Sequence, residues 1–181
     1  MNAPAVGPID GGEIGAVLDA IAAAIATGAE SDVPCGTCTA CCRSSQFVDV
    51  APDEIDALAR IPAALLVAAP GRPRGHRVLG YDEHGCCPML GEHGCTIYEH
   101  RPRACRVYDC RIFAVAGVEP VDKPLVDERV RRWTFREATS STVRVQLVRR
   151  AAEAIAAAGP SSPTRTAVLA VEQATEDAPP R

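Results

Sequence analysis

The chain has 181 residues, 47% of them hydrophobic but only 4% aromatic, and a formal net charge of −4 at pH 7. This mild acidity gives no overall indication of nucleic-acid binding, and no stretch approaches the ~18 consecutive apolar residues of a membrane span. A chain of this length is typical of one domain. We predict a single domain over residues 11–159, with flexible tails over residues 1–10 and 160–181.

The amino-terminal segment indicates in which cellular compartment we expect the protein. Residues 14–26 are apolar, but Glu13 and Asp19 interrupt the stretch and no Lys or Arg precedes Arg43. Because a secretory signal needs a basic region before its apolar core, we reject a signal peptide and expect a cytoplasmic protein with reduced thiols. In that compartment a dense cysteine pattern indicates metal binding or catalysis rather than disulfides.

Apolar spacing and helix-breaking residues predict the elements that precede the second group of cysteines. Residues 12–27 carry apolar side chains at helical spacing, and Gly28 supplies a helix stop. Pro52 followed by two acids is typical of a helix start, and Pro62 ends that helix. The predicted elements are helices over 12–27, 52–61 and 63–68, and extended segments over 47–50 and 76–81.

The same reasoning predicts the elements of the later part of the chain. The turn sequence at residues 91–94 predicts a hairpin that carries Cys87 and Cys95, and Pro102 suits the first turn of a short helix that holds Cys105. Further along, we predict an irregular segment over 112–125 and helices over 126–135 and 141–158, and within the tail we expect at most one weak helix around 166–173. The buried line predicted for the last helix is Val143, Leu147, Ala151 and Ile155. Together these elements predict an α+β fold, mainly helical, with a short hairpin and cysteine-rich loops organised by metal.

Nine cysteines lie between residues 35 and 110, and four of them fall in the run Cys-x2-Cys-x2-Cys-Cys from Cys35 to Cys42. Two sulfurs on one zinc lie ~3.8 Å apart, which two intervening residues allow. The triple x2 run is closer to a ferredoxin motif than to a zinc ribbon, but Ser45 stands where that motif has its fourth cysteine. We therefore favour an iron–sulfur cluster, keep zinc as the alternative, and expect further ligands from more distant positions.

Two pairs of cysteines are adjacent in sequence. The Cα atoms of Cys41 and Cys42 are ~3.8 Å apart, below the usual disulfide range of about 4.4–6.8 Å. Neighbouring side chains tend to point in different directions, so we expect these two thiols to serve different metals or different corners of one cluster. The same reasoning applies to Cys86 and Cys87.

Arginines surround the last two cysteines. Positive charge lowers the pKa of a thiol and offsets the negative charge of a thiolate–metal centre, so we favour a site role for Arg101 and Arg106. For Arg103 and Arg111, a site role and pairing with the nearby acids stay equally open.

Other candidate site residues are few. His84 and His93 lie in loops near cysteines and are candidate ligands, although loop histidines are more often only solvent-exposed. The sequence has no phosphate-binding loop, no G-x-G-x-x-G and no H-E-x-x-H motif, and no catalytic residue is assigned.

The ordered cysteines resemble the YkgJ-type cysteine-cluster family, also called the CxxCxxCC or zinc- or iron-chelating domain. The resemblance covers residues 33–111. Its motifs are the run from Cys35 to Cys42, Cys-Pro-Met-Leu from Cys87, Cys-Thr-Ile-Tyr from Cys95 and Arg-Pro-x2-Cys-Arg-x-Tyr-x-Cys from Arg101 to Cys110. It implies a metal site, iron–sulfur or zinc, in a cytoplasmic bacterial protein, and a relation to the cysteine domain of flagellin lysine N-methylase.

The same resemblance implies the metal ligands by position. They are Cys35, Cys38, Cys41, Cys42, Cys87, Cys95, Cys105 and Cys110. Cys86 stands outside the family pattern. Eight thiols allow two four-ligand sites, or one iron–sulfur cluster with additional structural thiols.

Three functions are therefore in view. The first is a metal-binding module that acts in redox chemistry or electron transfer. The second is an enzyme, either a redox catalyst or a protein-modifying enzyme related to the methylase. The third is a structural zinc domain with an interaction role. The expected partner is a metal ion or cluster, and neither a membrane nor a nucleic acid is expected.

Overall fold

A computed structural model of the protein describes residues 7–176. Its α-helices are α1 (Ile14–Thr27), α2 (Ile55–Arg60), α3 (Arg103–Arg106), α4 (Arg111–Ala116), α5 (Pro124–Val130), α6 (Thr139–Ala158) and α7 (Pro163–Glu176). Its strands are β1 (Ile9–Glu13), β2 (Val48–Val50), β3 (Leu66–Ala68), β4 (Arg77–Leu79), β5 (Leu90–Gly91), β6 (Gly94–Cys95) and β7 (Trp133–Arg136). This content confirms the predicted α+β, mainly helical fold. Within residues 7–176, no helix has both the length and the apolar character that crossing a membrane requires.

The chain divides into two compact units. The helical unit combines residues 1–34 with 109–181, and the cysteine unit is the segment 35–108. These limits fall at other positions than those of the single domain predicted over 11–159. Of the two predicted tails, residues 1–6 and 177–181 lie outside the described part of the chain.

Residues at both ends of helix α1 determine where it begins and ends. The Glu13 carboxylate accepts hydrogen bonds from the backbone N–H groups of Gly15 and Ala16, which have no partner inside the first turn. Gly28 ends the helix with φ of 72°, and its N–H donates to the Ala24 carbonyl. The residues of α1 that face the core are Ile14, Val17, Leu18 and Ile21. The predicted helix over 12–27 is therefore confirmed, with its start two residues later.

A parallel pair of strands joins two distant parts of the helical unit. Strand β1 pairs with β7, so that Ile9 lies opposite Trp133. A Cβ at Gly11 would lie 2.6 Å from the Phe135 ring, so only glycine allows this close approach. The structure thus corrects two predictions. Residues 9–10 belong to a strand rather than a tail, and the helix predicted over 126–135 ends at Val130.

Three further segments of the helical unit differ from prediction. Helix α4, with Phe113 and Val115 buried, occupies part of the segment predicted as irregular over 112–125. Helix α7 occupies most of the predicted tail after residue 160 and is longer than the weak helix expected around 166–173. Helix α6 confirms the predicted helix over 141–158, but its buried line is different. That line is Val145, Val148, Ala151 and Ala152, whereas Val143 is 64% exposed.

The cysteine unit is built around a small antiparallel sheet. The strand order is β2–β4–β3, and Leu79 of β4 lies opposite both Val48 and Leu66. Strand β3 and a short 3-10 turn replace the helix predicted over 63–68. The other predicted elements are confirmed, including α2, the β5–β6 hairpin and the short helix α3. The buried core of this unit consists of Val50, Ala57, Ile61, Leu79 and Ile97.

Candidate metal centre

The first cysteine run consists of two consecutive turns. The Cys38 N–H donates to the Cys35 carbonyl at 3.0 Å, and Cys41–Arg43 form a 3-10 turn. The Sγ atoms of Cys41 and Cys42 lie 4.0 Å apart. This separation is close to the ~3.8 Å between two sulfurs on one tetrahedral zinc. It suits two ligands of one metal as well as two corners of one cluster.

Backbone hydrogen bonds fasten the second cysteine segment to the first. The Cys87 N–H donates to the Cys42 carbonyl at 2.7 Å, and the Ser45 N–H donates to the Gly85 carbonyl at 3.0 Å. The carboxylate of Asp82 accepts a hydrogen bond from the N–H of Cys86 at 2.8 Å, which closes the loop over residues 82–86. Cys87 is therefore held beside Cys42 by contacts that do not involve its thiol.

The third and fourth segments carry one cysteine each. Cys95 ends strand β6 opposite Leu90, so the hairpin brings it back toward Cys87. Cys105 lies in α3, and its N–H donates to the Pro102 carbonyl at 2.9 Å. Both positions agree with the elements predicted for these cysteines.

The thiols that these contacts bring together also influence each other's ionisation. Cys105 is exposed as a whole residue, yet the protein atoms around its sulfur raise the pKa of the thiol; the charges of Cys41, Cys87 and Cys95 add to the rise and that of Arg101 opposes it. Burial also raises the pKa of Cys87, again with contributions from Cys95 and Cys41. A hydrogen bond with Cys42 and then burial raise the pKa of Cys41. We name these five residues the thiol group: Cys41, Cys42, Cys87, Cys95 and Cys105.

The thiol group fits a thiophilic metal by the chemistry of its donors. Sulfurs placed together in a partly buried site disfavour each other's ionisation, and a bound cation reverses that effect. Soft thiolates select zinc and iron–sulfur clusters. In the described residues, however, no three His, Cys, Asp or Glu side chains are arranged so that they could hold a metal ion as they stand. The thiols thus lie near one another, but they are not arranged as a complete set of metal ligands.

The remaining cysteines lie elsewhere. Cys35 is exposed and Cys38 is half-buried. Cys110 belongs to the helical unit, where its sulfur accepts a hydrogen bond from the Trp133 indole at 3.4 Å. Cys86, outside the family pattern, has its sulfur 3.9 Å from the His84 carbonyl. Ligation by Cys35, Cys38 and Cys110 stays a prediction.

Of the candidate arginines, two have well-defined acidic partners. Arg111 is buried and paired with Asp109 at 2.7 Å, and Arg103 pairs with the exposed Asp53 at 2.9 Å. Arg101 stacks on a tyrosine ring, and its positive charge opposes part of the rise in the pKa of Cys105. For Arg101, the predicted site role therefore has an electrostatic basis.

The two candidate histidines are solvent-exposed, as loop histidines usually are. His84 is 78% exposed and lies 3.6 Å from Glu83. His93 is exposed at the hairpin turn.

Sequence reasoning missed Glu54. It treated this residue only as an acid in the first turn of a helix, whereas the structure buries its carboxylate between α2 and α3. A carboxylate at a helix start is common, so the sequence held no signal that distinguishes this one.

The fold and the gathered thiols define a cysteine-rich metal-binding domain. Residues 34–123 match the family model CxxCxxCC, whose description is "putative zinc- or iron-chelating domain". This part of the chain belongs to that family, which confirms the resemblance to the CxxCxxCC domain and extends it through α4. The comparison with characterised proteins and the comparison with solved structures gave no match.

Proposed function

We propose that the chain is a cytoplasmic protein that holds an iron–sulfur cluster and acts in redox chemistry or electron transfer. The observation that carries the proposal is the convergence of five thiols from four separate segments of the cysteine unit. Structural zinc sites use four ligands, so five neighbouring thiols exceed what one zinc needs. The triple x2 run of the first segment supports the same preference.

The thiol group supplies the core of the proposed ligand set. Cys41 and Cys42 come from the first run, Cys87 and Cys95 from the hairpin region, and Cys105 from α3. We include Cys35, Cys38 and Cys110 as further ligands because the family pattern requires cysteine there. When bound, the cluster would supply one-electron redox chemistry, while Arg101 would offset the negative charge of the thiolates.

A structural zinc domain is the second candidate. The observation that favours it is the small apolar core of the cysteine unit, five buried residues, because a bound zinc ion supplies folding free energy to domains of this kind. In that case the bound metal would be colourless and redox-inactive.

Anaerobic purification of the full chain, followed by absorption spectroscopy and analysis of iron, sulfide and zinc, tests the proposal. We expect iron and sulfide in equal amounts, with visible absorption that dithionite bleaches reversibly. Stoichiometric zinc without iron or sulfide would establish the second candidate instead.

A matched pair of variants tests the ligand set. Cys87→Ser removes a member of the thiol group, and Cys86→Ser changes its sequence neighbour outside the group. We expect loss of metal from the first variant and wild-type content in the second. Equal metal content in both would exclude Cys87 as a ligand.

A further inference from the structure

The carboxylate of Glu54 joins two elements of the cysteine unit. Its side chain is only 6% exposed. One oxygen accepts the Ala51 N–H at 2.8 Å, just after strand β2. The other accepts the N–H of Arg103, the first residue of α3, and the Arg106 guanidinium lies 4.0 Å away. A single buried group therefore connects the β2–α2 segment to the helix that carries Cys105.

Helix α3 depends on such a connection. It has four residues, and a helix of that length is not stable by itself in water. The first N–H groups of a helix have no acceptor within the helix. The Glu54 carboxylate provides the acceptor for the N–H of Arg103. Removing that acceptor leaves the part-buried Arg103 N–H without its partner in the protein, and α3 is then no longer fixed against the β2–α2 segment.

We propose that Glu54 is a positioning residue that keeps Cys105 within the thiol group. It acts through α3 and does not touch the metal. The inference rests on the proposed function, because it concerns how that same site is assembled. The neighbouring Asp53 is a natural control, since it pairs with the Arg103 side chain at the surface and leaves the backbone of α3 alone.

The test uses the full chain, freed of metal under anaerobic reducing conditions, with Co²⁺ as the only probe. Thiolate-to-cobalt absorption gives the binding constant, and alkylation followed by mass spectrometry reports which cysteines the bound Co²⁺ protects. The variants are Glu54→Gln, Asp53→Asn, Cys105→Ser and the double variant of Glu54→Gln with Cys105→Ser.

We expect Glu54→Gln to weaken Co²⁺ binding by about 10- to 100-fold, as is typical of residues that orient ligands. Protection should be lost at Cys105 alone and kept at Cys41, Cys87 and Cys95. Asp53→Asn should match the wild type. The double variant should bind as Cys105→Ser does, because Glu54 has no effect once its cysteine is gone.

Two results would overturn the proposal while leaving metal binding intact. One is continued protection of Cys105 in Glu54→Gln, and the other is an equal loss at every cysteine. If Glu54→Gln does not fold, Glu54→Asp keeps the charge on a shorter side chain and should show the same selective loss to a smaller extent. Its absence there would also overturn the proposal. A wild-type chain that binds no Co²⁺, iron or zinc would instead overturn the proposed function itself.

Discussion

The two units differ in what fills their interiors. The helical unit buries large apolar side chains from several helices and a strand, among them Leu18, Phe113 and Trp133. The cysteine unit has a core of only five buried residues, none of them aromatic, with Cys87 and Cys95 packed against it. Burial of apolar surface is thus enough to explain the first unit, whereas the second is expected to need its metal. The same chain therefore relies on two different sources of stability.

Metal removal should give the largest effect. A structural metal contributes about 10–16 kcal/mol to folding in small metal-bound domains. We expect a thiophilic chelator to abolish amide protection across residues 35–108 and to leave protection in α1, α6 and α7. Hydrogen exchange with mass spectrometry, with and without chelator, measures this. Equal protection of the cysteine unit in both samples would contradict the comparison.

A core substitution in the helical unit should come next. Phe113 is 1% exposed, and Phe113→Ala should lower the free energy of unfolding by about 3–5 kcal/mol. Val143→Ala, at a position that is 64% exposed, is the control and should change it by less than about 0.5 kcal/mol. Denaturant unfolding gives both values. A large effect at Val143 would restore the buried line first predicted for α6.

A third prediction concerns Cys110, the predicted ligand in the helical unit. The chain has one tryptophan, and its indole donates to the Cys110 sulfur. If Cys110 holds metal, Trp133 emission should rise when metal is removed. Cys110→Ser should abolish that rise and weaken metal binding by at least about 10- to 100-fold, because loss of a residue that only supports a ligand already has that effect. Unchanged emission in the wild type would remove Cys110 from the ligand set.

The smallest effect should come from the α1 cap. Hydrogen bonds from Gly15 and Ala16 hold the pKa of Glu13 below its usual value. The stability that Glu13 contributes is therefore complete above the unfolded pKa of about 4.3 and is lost as the pH falls through the lower folded pKa. The Tm difference between the wild type and Glu13→Gln should shrink over that interval. Glu172→Gln, at an exposed position of α7, should show no such trend. A pH-independent difference would contradict the capping role.

Local signals in the sequence predicted elements that are decided locally. Helix α1 has both its apolar spacing and its glycine stop, and the hairpin has its turn sequence. Strand β1 could not be predicted, because it contains two glycines and pairs with a strand more than a hundred residues away. Helix α7 buries Ala167 and Ala170, small residues that are equally common in loose tails.

Helix α6 shows a different limit. Its sequence carries two apolar lines, one through Val143 and Leu147 and one through Val145 and Val148. Periodicity predicts the helix but does not choose between such lines, since the choice depends on what packs against it. In the cysteine unit, the turn sequence and Pro102 predicted the hairpin and the short helix that carry Cys95 and Cys105. The buried role of Glu54 depends on a contact between two segments and was not visible in either one.

Arg111 has a consequence for how the chain is assembled. Its guanidinium donates to the Asp32 carbonyl at 3.0 Å and to the Asp109 carboxylate at 2.7 Å, so it clamps the two points of the helical unit between which the cysteine unit is inserted. Once the helical unit has folded, the inserted segment is a loop already closed at its base. Much of its closure entropy is then lost before any metal arrives, and the metal has only to order what lies within. We therefore expect that the inserted segment can be replaced by a short linker between the two chain ends that Arg111 holds together.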